Sequence, residues 1–532
     1  FAERRALCLL FLFVAPIVLR LVLLPVRPVP VPDVYDAFGH LLVADTLRHW
    51  RLANPPHPLS QFFETFFVLQ TPAYSSIYPL GQGIVLALGR ALFGLPWVGV
   101  LATTGLMCAA VYWMLLAWTT PVWALAGGLL AIAQFGPLSL WMNDYWGGSV
   151  AALAGCLVFG SLPRLSNTWS VRHAVSLAAG LSIHWLTRPY ESLFLFASVG
   201  LFLLWRRISV RSLSATALLL VPAAALTLLH NWRVTGSAVT LPYQLSQYQY
   251  GVPASVTFQQ IPVPHRPLTP QQQLGYRMQA VAHGPGTDSV AAYVRRFLFR
   301  LRSYRFFFMP PLYLALLAFL VRCREPRWRW VLATFAVFML GENFYPYFHA
   351  HYLAALTGLC VLVSVVGLEV ITRWSALMSG FVMTLCAAYF VFWYGAQVGQ
   401  DGLSSGSQSR IAVNRQLAGM AGRKLVFVRY SDHHVFQNEW VYNEADIDSA
   451  SVVWARDLGP EENEKLRGYY HDRTVWLLEP DEQPPSLSPY AVEQTSPSAI
   501  VHEPAQAEIA EPVKPEKKLK PSKPTLRFED VK

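Results

Sequence analysis

Apolar runs long enough to form membrane helices recur from Ala6 to Val398, and short polar segments separate them. Inside a bilayer, backbone N–H and C=O groups find partners only within their own segment, so these runs are predicted to be helical. Several fall short of the ~20 residues of an ideal span. The pattern predicts a polytopic α-helical membrane protein with about eleven spans, at residues 6–24, 97–118, 121–138, 147–163, 173–187, 190–205, 212–230, 306–321, 328–345, 351–372 and 375–397.

The arginines give these spans a direction. With the N-terminus in the cytoplasm, every inner connection except the turn at Thr119–Thr120 is basic, as the positive-inside rule requires. This order holds only if the apolar stretch Gly81–Gly94, which is short and contains Arg90, lies at the membrane interface instead of crossing. The inner arginines are Arg4, Arg5, Arg164, Arg172, Arg206, Arg207, Arg211, Arg322, Arg324, Arg327, Arg329 and Arg373.

Two long loops, at residues 26–96 and 231–305, then lie outside. The first contains amphipathic stretches at Asp36–His49 and Leu59–Leu69, which we predict to be surface helices. No small-residue cleavage site follows the first apolar run, so we expect it to be a span and not a cleaved signal. Residues 1–400 form the predicted membrane domain.

The chain changes character after the last span. Residues 408–480 alternate short buried strands with polar helices, which predicts a small extracytoplasmic α/β domain. From Pro484 to the end at Lys532, Pro, Glu, Lys and Ser dominate, and we predict a disordered tail. The predicted strands are Lys424–Tyr430, Ser451–Ala455 and Thr474–Leu478, and the predicted helices are Ser409–Gly422 and Pro460–Tyr470.

Composition excludes a soluble fold. Hydrophobic residues make up 54% of the chain and charged residues 14%, against about 25% charged in ordinary soluble domains. The net charge is +10, but all eight lysines lie at or after Lys424, and the arginines fall at helix ends and in loops. Without a basic face, no nucleic-acid partner is expected. The six cysteines lie in or beside apolar segments and show neither a disulfide framework nor zinc spacing.

Polar residues collect at the predicted outer ends of the spans. The groups are Asp33, Asp36 and His40 in the first loop, then Trp141-Met-Asn-Asp-Tyr-Trp-Gly-Gly148, Arg188-Pro-Tyr-Glu191, and Asn343-Phe-Tyr-Pro-Tyr-Phe-His-Ala-His-Tyr352. Ionisable groups at membrane depth are costly and therefore tend to mark pathways or active sites. Their position on one face predicts a single outward-facing site.

Three features of the sequence resemble those of the GT-C superfamily of membrane glycosyltransferases. They are the acidic Asp36 after the opening span, Tyr78-Pro-Leu-Gly-Gln before an apolar stretch ending Leu92-Phe-Gly94, and the second acid Asp144 at the outer end of the third span. The resemblance extends to the protein O-mannosyltransferases and the aminoarabinose transferase of lipid A. The resemblance covers residues 1–400 and implies transfer of a sugar from a polyprenyl-phosphate carrier to an acceptor outside. The family often has an Asp-Glu pair in the first loop, whereas Ala37 follows Asp36 here.

Two residues have opposed interpretations. Attack by an acceptor hydroxyl requires a base, and the carboxylate of Asp36 is the candidate; alternatively Asp36 caps the Asp36–His49 helix. A phosphate leaving group requires positive charge, and the Arg188 guanidinium could bind it bidentately. Alternatively Arg188 pairs with Glu191, three residues further on.

Asp144 could orient the acceptor or bind a divalent metal ion. Carboxylates and imidazoles are a reasonable ligand set, so Asp36, Asp144 and His349, or His351 in its place, could converge on an ion. The alternative for the histidines is hydrogen bonding among interfacial aromatic residues. We further predict that substrate contacts include Tyr78, Glu191, His351 and Tyr352.

These features predict an inverting membrane glycosyltransferase in a bacterial inner membrane. Its expected partners are a polyprenyl-phosphate sugar donor, membrane lipid, and an acceptor glycan, lipid or protein. The alternatives are a transporter or flippase for a lipid-linked or polar solute, and a scaffold whose outer domain binds a partner. Transporters often show internal repeats, and the two halves of this chain show none.

Overall fold

The structure is a computed structural model that describes residues 4–398, 405–435 and 437–490. From position 491 onward the predicted disordered tail lies outside the described residues. The predicted tail begins at Pro484, and within its described part Ser486–Pro489 form a strand.

Helices dominate the membrane part. In chain order they are α1 (Arg5–Val22), α2 (Tyr35–Arg48), α3 (Leu80–Phe93), α4 (Pro96–Leu115), α5 (Pro121–Phe135), α6 (Leu140–Asn143), α7 (Gly148–Asn167), α8 (Val171–Thr187), α9 (Pro189–Trp205), α10 (Val210–Thr235), α11 (Pro242–Tyr250), α12 (Pro270–His283), α13 (Val290–Leu301), α14 (Tyr313–Phe319), α15 (Pro326–Glu342), α16 (Thr357–Trp374) and α17 (Ala376–Val398). Short 3-10 turns flank several of them, at Ser60–Phe63, Arg302–Phe307, Pro310–Leu312, Leu320–Arg324 and Ala350–Leu356.

Every predicted span coincides with helical structure, but the count of eleven is not confirmed. Within the described residues, six helices are long and apolar enough to cross a membrane: α1, α4, α7, α10, the segment Ala350–Trp374, and Ala376–Gln397. One further pair, Val290–Phe307 and Pro310–Arg324, qualifies only jointly and is bent by 109°. Helices such as α5 and α9 are apolar but have 15 and 17 residues. At 1.5 Å per residue they reach only about 23–26 Å.

Small residues let the helices approach closely. A Cβ added at Gly155 in α7 would lie 2.0 Å from the carbonyl oxygen of Ala355. One added at Gly180 in α8 would lie 2.7 Å from the carbonyl oxygen of Ala154 in α7. In lipid the hydrophobic effect cannot drive helices together, so backbone contact of this kind supplies the packing.

The first outer loop is more buried than its sequence indicated. Helix α2 matches the predicted Asp36–His49 helix in position, but eight of its residues are buried and it is not a surface helix. The predicted helix at Leu59–Leu69 is wrong, because this stretch holds only the 3-10 turn Ser60–Phe63 and the strand β1 (Val68–Leu69), paired with β2 (Ser75–Ser76). Its phenylalanines belong to two hydrophobic cores: Phe62 and Phe63 to one, Phe66 and Phe67 to the other. Their spacing therefore reflects burial on several sides.

The predicted C-terminal α/β region is present. Its strands are β3 (Lys424–Val428), β4 (Val452–Arg456), β5 (Thr474–Glu479) and the additional β6 (Ser486–Pro489). They form one sheet in the order β4-β3-β5-β6, parallel except for the antiparallel β5–β6 pair. The region also contains the helices α18 (Ser405–Ala418) and α19 (Pro460–Tyr469).

This α/β region shares its core with the first outer loop. Leu425 and Phe427 of β3 belong to the same hydrophobic cluster as Leu42 of α2 and Phe62. Polar contacts continue the interface, because the Asp45 carboxylate of α2 accepts a hydrogen bond from the Ala445 N–H at 2.8 Å. The region therefore stabilises the helix that carries Asp36.

A buried ion pair lies at this interface. Arg456 donates to the Glu439 carboxylate at 2.8 Å, and its Nε donates to the carbonyl oxygen of Glu64 in the first outer loop. Both side chains of the pair are at most 4% exposed. Buried pairs are sensitive to removal of one partner, because the other charge is left uncompensated.

We predict that Arg456→Met lowers the free energy of unfolding by about 3–5 kcal/mol, because Glu439 keeps a buried charge without its partner. Thermal unfolding of the purified full chain in detergent measures this. The matched control, Lys465→Met, breaks an exposed pair with Glu462 and is expected to cost about 0–1 kcal/mol. Equal midpoints for the two variants would contradict the prediction.

Candidate active site

Helix α2 places Asp36 in its first turn without using it as a cap. The N-cap residue is Val34, which makes no side-chain capping bond. The Asp36 carboxylate instead accepts a hydrogen bond from the Tyr78 hydroxyl. The capping alternative is therefore not realised, and the carboxylate is turned toward Tyr78.

Burial raises the pKa of Asp36 to about 6, while the Tyr78 hydrogen bond and the Arg188 charge oppose the increase. His40, one turn further along α2, stacks on the Tyr78 ring with centroids 4.3 Å apart. Burial and the Arg188 charge lower the pKa of His40 to about 3. At neutral pH this imidazole is uncharged, and Asp36 is the ionised member of the pair.

Arg188 lies at the break between α8 and α9. Its Nη2 donates to the carbonyl oxygen of Trp146 at 2.6 Å, and its guanidinium lies 5.6 Å from the centre of the Tyr352 ring. None of the described ion pairs joins it to Glu191. Among the described residues, its Nε and the Trp146 Nε1 are buried donors without an acceptor. Two neighbouring orphan donors suit an anion, since an unsatisfied buried donor is costly.

Asp144 follows the four-residue helix α6 and precedes α7. Its carboxylate accepts the Tyr145 N–H at 2.5 Å. Burial raises its pKa well above the usual range, and the charges of Asp33 and Asp36 raise it further. The carboxyl lines a small cavity whose walls are Leu140, Trp141, Asp144, Trp146, Gly147, Gly148, Phe306, His349, Ala350 and His351.

The two histidines of this cavity form an aromatic stack. The His349 and His351 rings lie parallel with centroids 5.3 Å apart, and both meet the Trp146 ring edge-on at 5.8 and 5.4 Å. Burial, with the Arg188 charge, lowers the pKa of His349. The two rings thus belong to an aromatic cluster with Trp146, and their role in substrate or metal binding stays a prediction.

The metal site formed by Asp36, Asp144 and His349 is not assembled. In the described part of the chain, no three His, Cys, Asp or Glu side chains are grouped to bind a metal ion. The physical reason is visible in the contacts, because Asp36 is turned toward Tyr78 and His349 toward Trp146 and His351. As placed here, these three side chains are not grouped around a common ion.

A second acidic pair lies deeper in the protein. Glu191 and Glu342 are 6% and 1% exposed and close enough to interact electrostatically. Neither carboxylate oxygen of Glu342 has a hydrogen-bond partner among the described residues. Glu342 was missed from sequence, although an acid inside the predicted span 328–345 is the kind of signal that marks a functional position.

A second small cavity has in its lining Tyr243, the tyrosine whose ring meets Tyr78 edge-on at 6.1 Å. Its lining is mostly apolar and comes from the neighbours of Tyr78 and Arg188 in sequence and from the end of α10. The lining residues are Ile77, Pro79, Leu80, Trp185, Leu186, Pro189, Thr227, His230, Asn231, Leu241, Pro242 and Tyr243. Tyr243 was not singled out from sequence.

The site residues proposed from sequence therefore converge. Asp36 contacts Tyr78, Arg188 contacts Trp146 and Tyr352, and Trp146 contacts His349 and His351. Electrostatic interaction links Asp36 to Arg188 and Asp144 to Asp36. Four helix ends and two loops that are far apart in sequence thus form one polar centre.

Comparison with solved structures finds a similar arrangement of helices in ArnT from Cupriavidus metallidurans. No protein-family model matches the chain, and no characterised protein matches it by sequence. The likeness is therefore one of fold.

Solved structures of two proteins match this chain over most of its length. ArnT from Cupriavidus metallidurans in the apo state has a TM-score of 0.53 at 12% identity, over 88% of this chain and 92% of that chain. The same protein bound to undecaprenyl phosphate has a TM-score of 0.50 at 13% identity, over the same shares. The Archaeoglobus fulgidus oligosaccharyltransferase in complex with Zn and sulfate has a TM-score of 0.45 at 12% identity, over 89% of this chain and 67% of that chain.

We predict that Gly148→Ala deforms the first cavity. The added Cβ would lie 2.2 Å from Cδ1 of Trp141, so the indole must shift. Overpacking of this kind costs about 1–3 kcal/mol, measurable as a lower thermal unfolding midpoint. The control Gly200→Ala, in α9, meets no atom within 4 Å and is expected to leave the midpoint unchanged or slightly raised. A midpoint for Gly148→Ala equal to that of Gly200→Ala would contradict the prediction.

Proposed function

We propose that this protein is a membrane glycosyltransferase that moves a sugar from a polyprenyl-phosphate carrier to an acceptor hydroxyl with inversion. The observation that carries the proposal is the convergence of Asp36, Arg188 and Asp144 at one end of a GT-C fold. A base, a phosphate-binding cation and a second acid are the groups that this transfer requires. The reaction would occur at the outer face of a bacterial inner membrane.

Arg188 would bind the carrier phosphate. Its Nε and the Trp146 Nε1 are the orphan donors of the site, and each could donate to a phosphate oxygen. The guanidinium is already oriented by its bond to the Trp146 carbonyl oxygen. As the glycosidic C–O bond breaks, negative charge grows on the departing phosphate, and fixed donors stabilise that charge.

Asp36 would accept the proton of the attacking hydroxyl. The acceptor oxygen forms a bond to the anomeric carbon on the face opposite the phosphate, and the phosphate departs with the electron pair of the broken bond. Asp144 would orient the acceptor within the first cavity, and the aromatic walls contributed by Trp146, His349 and His351 suit a sugar ring.

Glu342 and Glu191 would contribute to sugar binding. Sugar hydroxyls are hydrogen-bond donors, and the Glu342 oxygens are buried acceptors without a donor among the residues described. The second cavity would take the first part of the carrier chain. Its apolar lining lies beside Tyr78 and Arg188, and ArnT, the fold neighbour, has been crystallised with undecaprenyl phosphate.

The test is transfer from a radiolabelled polyprenyl-phosphate sugar by the full chain in liposomes. We predict that Asp36→Asn lowers the rate by at least ~10²-fold, the usual contribution of a positioned base, with an unchanged unfolding midpoint. Arg188→Gln is expected to lose transfer and donor binding together. The control Asp472→Asn alters a half-exposed carboxylate in the α/β region and should retain the wild-type rate.

Wild-type transfer by Asp36→Asn would remove this residue from the mechanism. A chain that moves no sugar from any carrier, yet carries a lipid-linked solute across the same liposomes, would establish the transporter instead.

We predict an acidic limb near pH 6 in the rate of transfer. The active form of Asp36 is the carboxylate, so the rate is present above the raised pKa of about 6 and falls as the pH drops through it. The Tyr78 hydrogen bond favours the ionised form, so Tyr78→Phe should move the limb to higher pH. A limb near pH 4, or one that Tyr78→Phe does not move, would contradict the assignment.

A further inference from the structure

Helix α13 has an exposed apolar face that no other described part of the chain covers. Val290, Val294 and Leu298 are 81%, 46% and 60% exposed. Their spacing of four places them on one side of the helix. An exposed apolar stripe opposite a charged face is typical of a helix that lies on a lipid surface.

The direction of α13 supports this interpretation. The segment Val290–Phe307 is bent by 109° from the following segment, Pro310–Arg324. The latter packs along the buried span α16, because a Cβ added at Gly367 would lie 1.9 Å from the carbonyl oxygen of Ala315. A helix nearly perpendicular to a packed span lies in the plane of the membrane.

Exposed arginines border the apolar stripe. Arg295 and Arg302 are both exposed, and the Arg302 guanidinium lies 3.7 Å from the centre of the Phe299 ring. Guanidinium groups bind the phosphates of lipid headgroups while their aliphatic stems rest on apolar surface. The occupant that fits this face is therefore the bilayer surface.

The opposite face of α13 holds the segment that leads to the active site. Arg300 is 4% exposed, and its Nη1 donates to the carbonyl oxygen of Glu342 at 2.8 Å. Its Nη2 donates to the carbonyl oxygens of Tyr345, Pro346 and Tyr347 at 2.6, 3.0 and 3.2 Å. One guanidinium thus gathers four carbonyls at the end of α15.

Two further hydrogen bonds from α13 hold the same segment. The Arg296 Nε donates to the carbonyl oxygen of Asn343 at 2.7 Å, and the Tyr293 hydroxyl donates to that of Leu340 at 2.7 Å. The segment held in this way continues directly into His349, His351 and Tyr352. Tyr352 is the residue whose ring lies against Arg188.

We propose that α13 is a membrane-anchored clamp, in which the bilayer surface holds the apolar face and Arg300 positions the segment that carries His349, His351 and Tyr352. Arg300 is a positioning residue, since it acts through the carbonyls of residues 342–347. The anchoring and the ordering of this segment stand on the contacts alone. The effect on turnover rests on the proposed function.

Lipid contact is tested with a fluorescent label at Leu298→Cys in full-length protein, in a Cys323→Ser background. The vesicles contain phosphatidylcholine, phosphatidylglycerol and a lipid brominated either near the headgroup or near the chain end. We expect strong quenching by bromine near the headgroup, and none for a label at Glu464→Cys on the exposed face of α19. Absence of quenching at position 298, or quenching only by deep bromine, would overturn the in-plane anchor.

The clamp is tested with Arg300→Gln, Arg300→Lys and the control Arg277→Gln, which changes an exposed arginine of α12. Hydrogen exchange in residues 343–352 should accelerate in Arg300→Gln, less in Arg300→Lys, whose ammonium lacks the planar fork, and remain unchanged in Arg277→Gln. In sugar transfer, kcat should fall by about ten- to a hundredfold in Arg300→Gln, as a misplaced catalytic segment predicts.

Each outcome has a distinct meaning. Exchange and kcat equal to those of Arg277→Gln in both Arg300 variants would overturn the clamp. If Arg300→Gln does not fold, Arg300→Lys decides the same question. Accelerated exchange in a chain whose wild type transfers no sugar would leave the clamp in place and refute the proposed function.

Discussion

Arginine guanidiniums bonded to backbone carbonyls are the interaction on which the rest of this structure depends. Arg20 donates to the carbonyl oxygens of Arg27 and Pro28, and Arg164 to those of Trp113 and Gly160. Arg300 gathers four carbonyls and Arg456 reaches that of Glu64. Most of these carbonyls lie in loops or in the last turn of a helix, where an oxygen lacks a helical partner; that of Gly160 lies inside α7. The planar fork of arginine satisfies several such oxygens at once, which a lysine ammonium does less well. The absence of lysine before Lys424 fits this use.

Arg188 differs from the others because its bonding is incomplete. Arg300 directs its Nη1 and Nη2 at carbonyls, whereas Arg188 makes one described bond, to Trp146, and keeps a buried Nε without an acceptor. Arg20 and Arg300 each bind two or more carbonyl oxygens, whereas the one described bond of Arg188 holds its guanidinium and leaves its Nε unused. This division between structural and binding guanidiniums is a general way to pre-organise an anion site, because no donor must be released when the ligand arrives.

The sequence predicted the polar centre better than the architecture around it. Asp36, Asp144, Arg188 and the histidines were recognisable because charge is rare in apolar sequence, and the strands of the α/β region because their alternation with polar helices is local. The predicted helix at Leu59–Leu69 is wrong, because a stretch that is buried on several sides lacks the one-sided apolar pattern of a surface helix. The shared core of α2 and β3 could not be predicted, because it joins residues about 380 positions apart through contacts that no local pattern encodes. The metal triad failed for a similar reason: hydrogen-bonding and stacking partners, not proximity alone, decide where a carboxylate or imidazole points.

The two carboxylates of the site are chemically distinguished by their neighbours. Burial raises the pKa of both, but Tyr78 and Arg188 favour the ionised form of Asp36, whereas the charges of Asp33 and Asp36 disfavour ionisation of Asp144. When environments separate two acids in this way, the one held ionised is suited to act as a base and the other to donate a hydrogen bond. The proposed donor phosphate would meet two negative charges if both carboxylates were ionised. The charges of Asp33 and Asp36 disfavour the ionised form of Asp144, so the same neighbours that distinguish the two acids would also reduce the repulsion of that phosphate.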